Sequence, residues 1–514
     1  MAEITKFEPG AQQTPRWFWL VFFALTVFVY FFGLTLPLLG PDEPRYAEVG
    51  REMFLRNDWI TPTLGGFNWF EKPALLYWLE IVSYQIFGVN EFAARFGPAL
   101  CGLGTIISVW LLCRKATSNS DFANWSALAA ASTVGIIAFS RGASFDIVVT
   151  FPLTAAMAAF IIYRAHDGRR SLPLVCFYFF IGVALLAKGL IGLLFPIGII
   201  ILYHVLVWRL PEKRFLLSLI WGFPIILVVA ASWYLPMYLR HGETFIDEFI
   251  IQQHFQRFLS NKYQHPQPFI FFFWVLPLMT IPWLPFFLIS LWRTILGFVK
   301  RIRKVRETSD PSVQESLDSV VDIQTRSSSL VKICYAWVLI PLLFFSLSGS
   351  KLPGYILPAV VPAVILAGIQ IYRLQNKSET IRRLVLTAAI ATFVIVICSL
   401  IFVVPRFARH ETVKGLIATA NADGYNDLPV AGFIVASHNA EFYADGRLLR
   451  DSDGRQHRFG SVSELKEYVD LHSNRPLLIL SPLELVHHLT NSELIRTDVL
   501  EDNGEVAIVL VRRR

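Results

Sequence analysis

Residues 17–46 read WFWLVFFALTVFVYFFGLTLPLLGPDEPRY, an apolar run rich in Phe, Val and Leu that passes directly into Gly40, Pro41 and the acids Asp42 and Glu43. A helix of about 20 such residues crosses the ~30 Å hydrocarbon core of a bilayer. The run is long for a secretory signal and lacks a small-residue cleavage site before Pro41, so it reads as a retained first span. Two acids at the membrane edge, immediately after that span, set the question of function.

Working outward, comparable runs recur at 98–112, 124–140, 145–163, 172–187, 190–208, 215–238, 269–291, 333–347, 354–372 and 384–404, which with 17–38 makes about eleven spans. Hydrophobic residues make up 54% of the 514-residue chain, charged residues 17%, and mean hydropathy is +0.51. A soluble domain carries about a quarter charged residues, so the expected fold class is a polytopic α-helical membrane protein. Its five cysteines (Cys101, Cys113, Cys176, Cys334, Cys398) lie in or beside apolar runs, which argues against a disulfide framework or a Cys-based zinc site.

Net charge is +7, yet from Arg406 onward 13 Lys and Arg face 16 Asp and Glu, so the membrane part holds the basic excess. Its one dense run, 300–306, abuts a helix end and reads as a topology anchor rather than a nucleic-acid surface. Alternate connections (114–115, 164–170, 209–214, 300–306, 373–383) are basic and should be cytoplasmic. The other side then receives 40–92, the bend 141–145, Lys188, the loop 240–268, the bend 349–353 and the tail. Within the first outer loop, 46–55 and 73–87 have helical spacing and nearby Trp and Tyr, as interfacial helices do. Residues 307–329 are rich in Ser, Asp and Gln and read as a flexible linker.

After residue 404 the pattern changes. Strands are expected at 429–436, 476–480 and 505–511, with helical segments at 463–471 and 482–489. The chain thus divides into a transmembrane part, 1–405, and a small extracytoplasmic α/β domain, 406–514, without a glycine-rich nucleotide fingerprint.

The chemistry-bearing residues collect on the outer side. Asp42 and Glu43 are suited to general-base work or ligation, or are solvated loop acids. Glu71 and Lys72 form an opposite-charge pair; Asp146 opens a span, where an acid also serves as a helix cap. The outer cations Arg45, Lys72, Arg141, Lys188, Arg257, Lys262 and Lys351 could hold a phosphate, or anchor helices by snorkelling. His254 with a carboxylate could bind a divalent ion, or serve as a structural hydrogen bonder.

Four segments, GPDEPRYAEVGREM (40–53), NWFEKP (68–73), QHFQRF (253–258) and GSKLPGYILP (349–358), occur in that order on one face. Together the set resembles the aminoarabinose (lipid A) transferase branch of the protein O-mannosyltransferase superfamily, membrane glycosyltransferases of the GT-C fold. The resemblance implies transfer of a sugar from a polyprenyl-phosphate carrier to a lipid, lipopolysaccharide or other envelope acceptor outside the inner (plasma) membrane. It implies Asp42 as catalytic base beside Glu43 and Arg45, Asp146 as a second-loop acid, and Lys188 as the lysine after the fifth span. It further implies a divalent metal shared by Glu71 and His254, and carrier phosphate on Lys351 and Tyr355. Single displacement would invert the anomeric carbon. The tail begins here after fewer spans than in that branch, so the resemblance carries the reaction and leaves sugar and acceptor open. A transporter or lipid flippase, the alternative, would place charges near mid-membrane and show internal repeats.

Overall fold

The structure, a computed structural model, describes residues 14–165, 170–256, 267–307, 311–472 and 475–514, without the side chains of 254, 255, 298 and 300–328. The first ten helices are α1 (Arg16–Phe31), α2 (Asp42–Leu55), α3 (Leu75–Phe87), α4 (Glu91–Thr117), α5 (Ser120–Ala131), α6 (Val134–Ser140), α7 (Phe145–Ala165), α8 (Leu172–Lys188), α9 (Ile191–Val207) and α10 (Lys213–Phe245). Further helices include Phe271–Met279, Leu284–Glu307, Pro311–Leu347, Leu357–Gln375 and Glu379–Cys398.

Among the described residues, six helical stretches are long and apolar enough to cross a membrane, and α5 with α6 forms a seventh, bent by 61°. The other four expected runs appear as the shorter apolar helices α1, α8, α9 and Leu284–Gly297. Packing sorts the spans into centre and edge. The best 18-residue windows of 353–375 and α7 are 94% and 83% buried, against 28% and 22% for 213–253 and 379–411, whose apolar faces therefore meet lipid. Small residues allow the central approach: no Cβ fits at Gly104 beside Phe151 or at Gly368 beside Ser126.

Three segments depart from expectation. The span at 124–140 breaks at Ser132–Thr133, where both hydroxyls bond carbonyls one turn back and Val134 N turns to Ile281 O at 2.9 Å. The span at 269–291 breaks between Met279 and Leu284 around Pro282, which lacks an N–H for the helical ladder. The supposed linker at 307–329 is instead largely helical within Pro311–Leu347; proline is well placed at a first helical position, and neither Gly nor another Pro follows until Pro341.

On the site side, α2 starts at Asp42 itself, so both acids occupy a helix's first turn, where the dipole favours them. A two-residue hairpin, β1 (Thr63–Leu64) with β2 (Phe67–Asn68), comes next, then α3. The tail carries β3 (Val430–Phe433), β4 (Arg458–Phe459), β5 (Leu477–Pro482), β6 (Ile495–Asp502) and β7 (Val506–Arg513) in the order β4-β3-β5-β7-β6. β3 is parallel to β4 and β5, while β5–β7 and β7–β6 are antiparallel. Separate apolar cores lie on the sheet's two faces, one around Leu478 and Leu510, the other around Ile479 and Val509.

The tail is fastened to the first outer loop. Arg51, 7% exposed, pairs with Glu48 at 2.7 Å and with Asp445; Lys414 pairs with Glu91; and Leu38 N donates to Tyr443 Oη at 2.7 Å.

Candidate active site

At the end of the bundle away from the connections at 114–115, 164–165 and 209–214 lies a cavity of about 860 Å³. The N-terminus of α7 and the C-terminus of α8 both point to it, with 21 residues of α7, ~30 Å, separating it from Ala165. The cavity brings together Asp42, Glu43, Arg45, Glu71, Lys72, Asp146, Lys188 and Tyr355, with Phe139, Leu190, Leu194 and Phe345 supplying apolar wall.

Asp42 stands at the α2 N-terminus, half exposed, with Arg45 Nη2 at 2.8 Å. Arg45 is held over the Trp69 ring, 5.6 Å from its centroid, so loop aromatics steer the cation that faces Asp42. In the same cavity Asp146 pairs with Lys188, whose Nζ also sits 4.5 Å from the Tyr355 ring centroid. Gly354 makes this cluster possible: a Cβ there would collide with Asp146 Oδ2.

Glu43 was expected to be catalytic, but both its oxygens are engaged. Oε1 accepts from Arg95 Nε at 3.2 Å and Ala143 N at 2.9 Å; Oε2 accepts from Arg95 Nη2 at 2.6 Å and Leu39 N at 2.9 Å. A carboxylate so bonded ties the start of α2 to Arg95 on α4 and to the amides of Leu39 and Ala143. Arg141 and Lys351, expected on the donor phosphate, also turn away. Arg141 donates to the carbonyls of Val29 and Phe32 at the C-terminal end of α1, passing beside Gly33 (φ +71°). Lys351, 7% exposed, gives Nζ to Ser348 O at 2.6 Å and Gln267 O at 3.0 Å, and burial lowers its pKa. Both cations satisfy buried backbone carbonyls, whose hydrogen bonds would otherwise be costly to leave unmade.

Arg257 and Lys262 lie outside the described residues, as does the His254 side chain. Among the described residues no three His, Cys, Asp or Glu gather as metal donors. With Glu43 and Asp146 already held by cations, the described donors alone do not make a metal cage.

Three contributors escaped sequence reasoning. Arg95, 4% exposed on α4, organises the Glu43 clasp; its only signal was a charge inside an apolar helix, which demands a partner. Tyr46 lines the cavity, with its hydroxyl pKa held high by burial and then by Asp42. His438 reaches the cavity from the tail, a placement no local pattern signals.

A membrane bundle with a cavity of paired acids and cations at one end, beside a fastened α/β tail, defines the class: a polytopic GT-C glycosyltransferase fold. The family model "Dolichyl-phosphate-mannose-protein mannosyltransferase" matches residues 17–245. The chain is 30% identical over 418 residues (78% of this chain, 69% of the relative) to the undecaprenyl phosphate-alpha-4-amino-4-deoxy-L-arabinose arabinosyl transferase of Erwinia tasmaniensis. It is 29% identical over 443 residues (82% and 72%) to that of Yersinia enterocolitica. The match spans 66% of the Aeromonas hydrophila counterpart, at 30% identity and over 76% of this chain. ArnT from Cupriavidus metallidurans, solved bound to undecaprenyl phosphate, shares the fold with a TM-score of 0.73 and 20% identity over 97% of this chain and 98% of that one. The chain belongs to the undecaprenyl phosphate-aminoarabinose arabinosyl transferase family.

Proposed function

We propose that this protein transfers a sugar, 4-amino-4-deoxy-L-arabinose by analogy with its relatives, from undecaprenyl phosphate to lipid A or a similar envelope lipid on the extracytoplasmic face of the inner membrane. The observation that carries the reading is the shared cavity: Asp42 faces the same space as Lys72, Lys188 and Tyr355, at the end of the bundle away from the basic connections.

In this reading the carrier phosphate rests on Lys72, Lys188 and the Tyr355 hydroxyl, with the prenyl chain along the apolar wall. Cations at that phosphate stabilise it as it departs with the electron pair of the breaking C1–O bond, while C1 gains oxocarbenium character. An acceptor oxygen bonds to C1 from the opposite face, inverting it, and a hydroxyl acceptor's proton passes to Asp42. The lining sets Asp42, Glu71 and Asp146 beside Arg45, Lys72 and Lys188, with Glu43 paired to Arg95 behind it. The carboxylate of Asp146 holds Lys188 in place.

Mass spectrometry of envelope lipids from cells with the wild-type protein, without it, and with Asp42→Asn tests this. A sugar-sized increment on a lipid should appear with wild type alone, while Asp42→Asn protein stays in the membrane at normal levels. Identical lipid profiles in all three strains would refute the function, and normal modification by Asp42→Asn would remove Asp42 from the mechanism.

A further inference from the structure

The tail reaches the cavity through one loop, and its construction is unusual. Residues 434–439 leave the C-terminal end of β3, in the part of the sheet where β3 runs parallel to β4 and β5. Crevices beyond the carboxyl ends of parallel strands are where open α/β sheets take ligands. The loop opens with Ile434 at φ +63°, a left-handed conformation that a β-branched residue adopts only under strain. It then doubles back so tightly that a Cβ on Gly432 would clash with Val435 O.

The two residues flanking His438 are pinned. Ser437 O accepts from Gln456 Nε2 at 3.0 Å, and Asn439 Nδ2 donates to Glu411 O at 3.0 Å. Gln456 is itself held by Glu441 at 2.8 Å, and Glu441 by Arg450. Between these anchors the His438 side chain is exposed, lines the cavity, and makes no side-chain hydrogen bond among the described residues. The fastenings of the tail at Leu38, Arg51 and Glu91 bracket Asp42 and fix His438 relative to it. A strained, anchored loop that presents one unengaged polar side chain to a reaction cavity is costly to hold, and such strain gathers at functional positions.

We propose that His438 is an acceptor-positioning residue: its imidazole binds an oxygen of the incoming lipid headgroup, hydroxyl or phosphate, and orients the nucleophile toward the sugar. In this proposal the donor phosphate rests on Lys72, Lys188 and Tyr355, and His438, which lines the same cavity, serves the second substrate. No proton or bond is assigned to His438; the C1–O bonds form and break as above. The inference rests on the transferase reading and adds to it the part of the chain that selects the acceptor.

The test uses the full-length protein in nanodiscs with undecaprenyl phosphate-aminoarabinose as donor and lipid A, phosphorylated or dephosphorylated, as acceptor. His438→Ala should raise the KM for lipid A roughly 10-fold, as loss of one good hydrogen bond would. It should leave the donor KM and the slow hydrolysis of donor by water unchanged, and His438→Gln should restore part of the acceptor KM. An effect confined to phosphorylated lipid A identifies phosphate as the group bound; an equal effect on both forms identifies a hydroxyl. An unchanged acceptor KM in His438→Ala, or equal losses for donor and acceptor, would overturn the inference while the transferase reading stands. Absence of transfer by the wild type would overturn that reading and the inference with it.

Discussion

Deleting the Glu43 carboxylate should open the first outer loop, by an amount set by its four hydrogen bonds. Arg95, whose side chain is 5% exposed, would lose its counter-ion, and the amides of Leu39 and Ala143 would lose their acceptor. Breaking a buried pair from one side costs about 3–5 kcal/mol, because the remaining charge stays buried. Arg95 keeps the carbonyls of Leu34 at 3.1 Å and Pro37 at 2.9 Å, which places Glu43→Ala near the lower end, about 3 kcal/mol. Glu43→Gln preserves shape but turns an amide N–H toward donors, costing about 2 kcal/mol. The buried thiol of Cys101, less than two turns along α4 from Arg95, serves as the reporter. Maleimide labelling under native conditions tracks the opened population, so Glu43→Ala should label roughly 100-fold faster than wild type. In Arg95→Gln the second mutation at Glu43 should cost less than it does alone, since the ion pair is already gone and only the bonds from Leu39 N and Ala143 N remain to be lost. Unchanged thiol protection in Glu43→Ala, or additive losses in the double variant, would refute the clasp.

Gly354→Ala should cut transfer about 100-fold with thiol protection intact, because the new Cβ would collide with Asp146 Oδ2 and sit 2.6 Å from the Phe139 ring, dislodging the carboxylate that holds Lys188; normal turnover would show that the Asp146–Lys188 geometry is not needed. Glu48 on α2 is pushed up to about 7 by burial, against the opposing pull of Arg51. Its folded pKa thus lies above the unfolded value, so the stability it contributes is full below about 4.5 and is lost as pH rises through about 7. Thiol labelling should accordingly quicken between those pH values, and Glu48→Gln should flatten the trend; a wild-type profile in that variant would exclude Glu48 as the source.

Much of this architecture could be read from runs of apolar residues, and its gaps have identifiable causes. The span at 145–163 appears as α7 within two residues, with Pro152 accommodated inside the helix. At Ser132–Thr133 and Pro282, by contrast, composition stays apolar while side-chain back-bonds or a missing N–H break the helix, and a hydropathy average cannot register either. β6 was missed because it is the sheet's edge strand, with polar residues such as Arg496, Asp498 and Glu501 along it. Around the cavity, chain position located Asp42, Asp146 and Lys188, which stand at helix ends, while Lys72 lies in the segment between β2 and α3. Where a long cation turns its head was not legible: Arg141 and Lys351 lie at the correct level but commit their donors to carbonyls that only the folded backbone presents. Arg95 and His438 depend on contacts made across the fold, which local spacing does not encode.

The fastening of the tail also sets an order of events during synthesis. Glu91 bonds a lysine 323 residues downstream, and Leu38 a tyrosine 405 residues downstream. At roughly 5–20 residues per second, a ribosome needs on the order of a minute or less to make that interval. Throughout it the first outer loop stands outside the bilayer with Arg51 lacking the Asp445 partner it will later have. The cavity is therefore finished well after its first acids are made, because a nascent chain acquires the wall that His438 supplies only when the segment carrying Lys414, His438 and Tyr443 has emerged and docked.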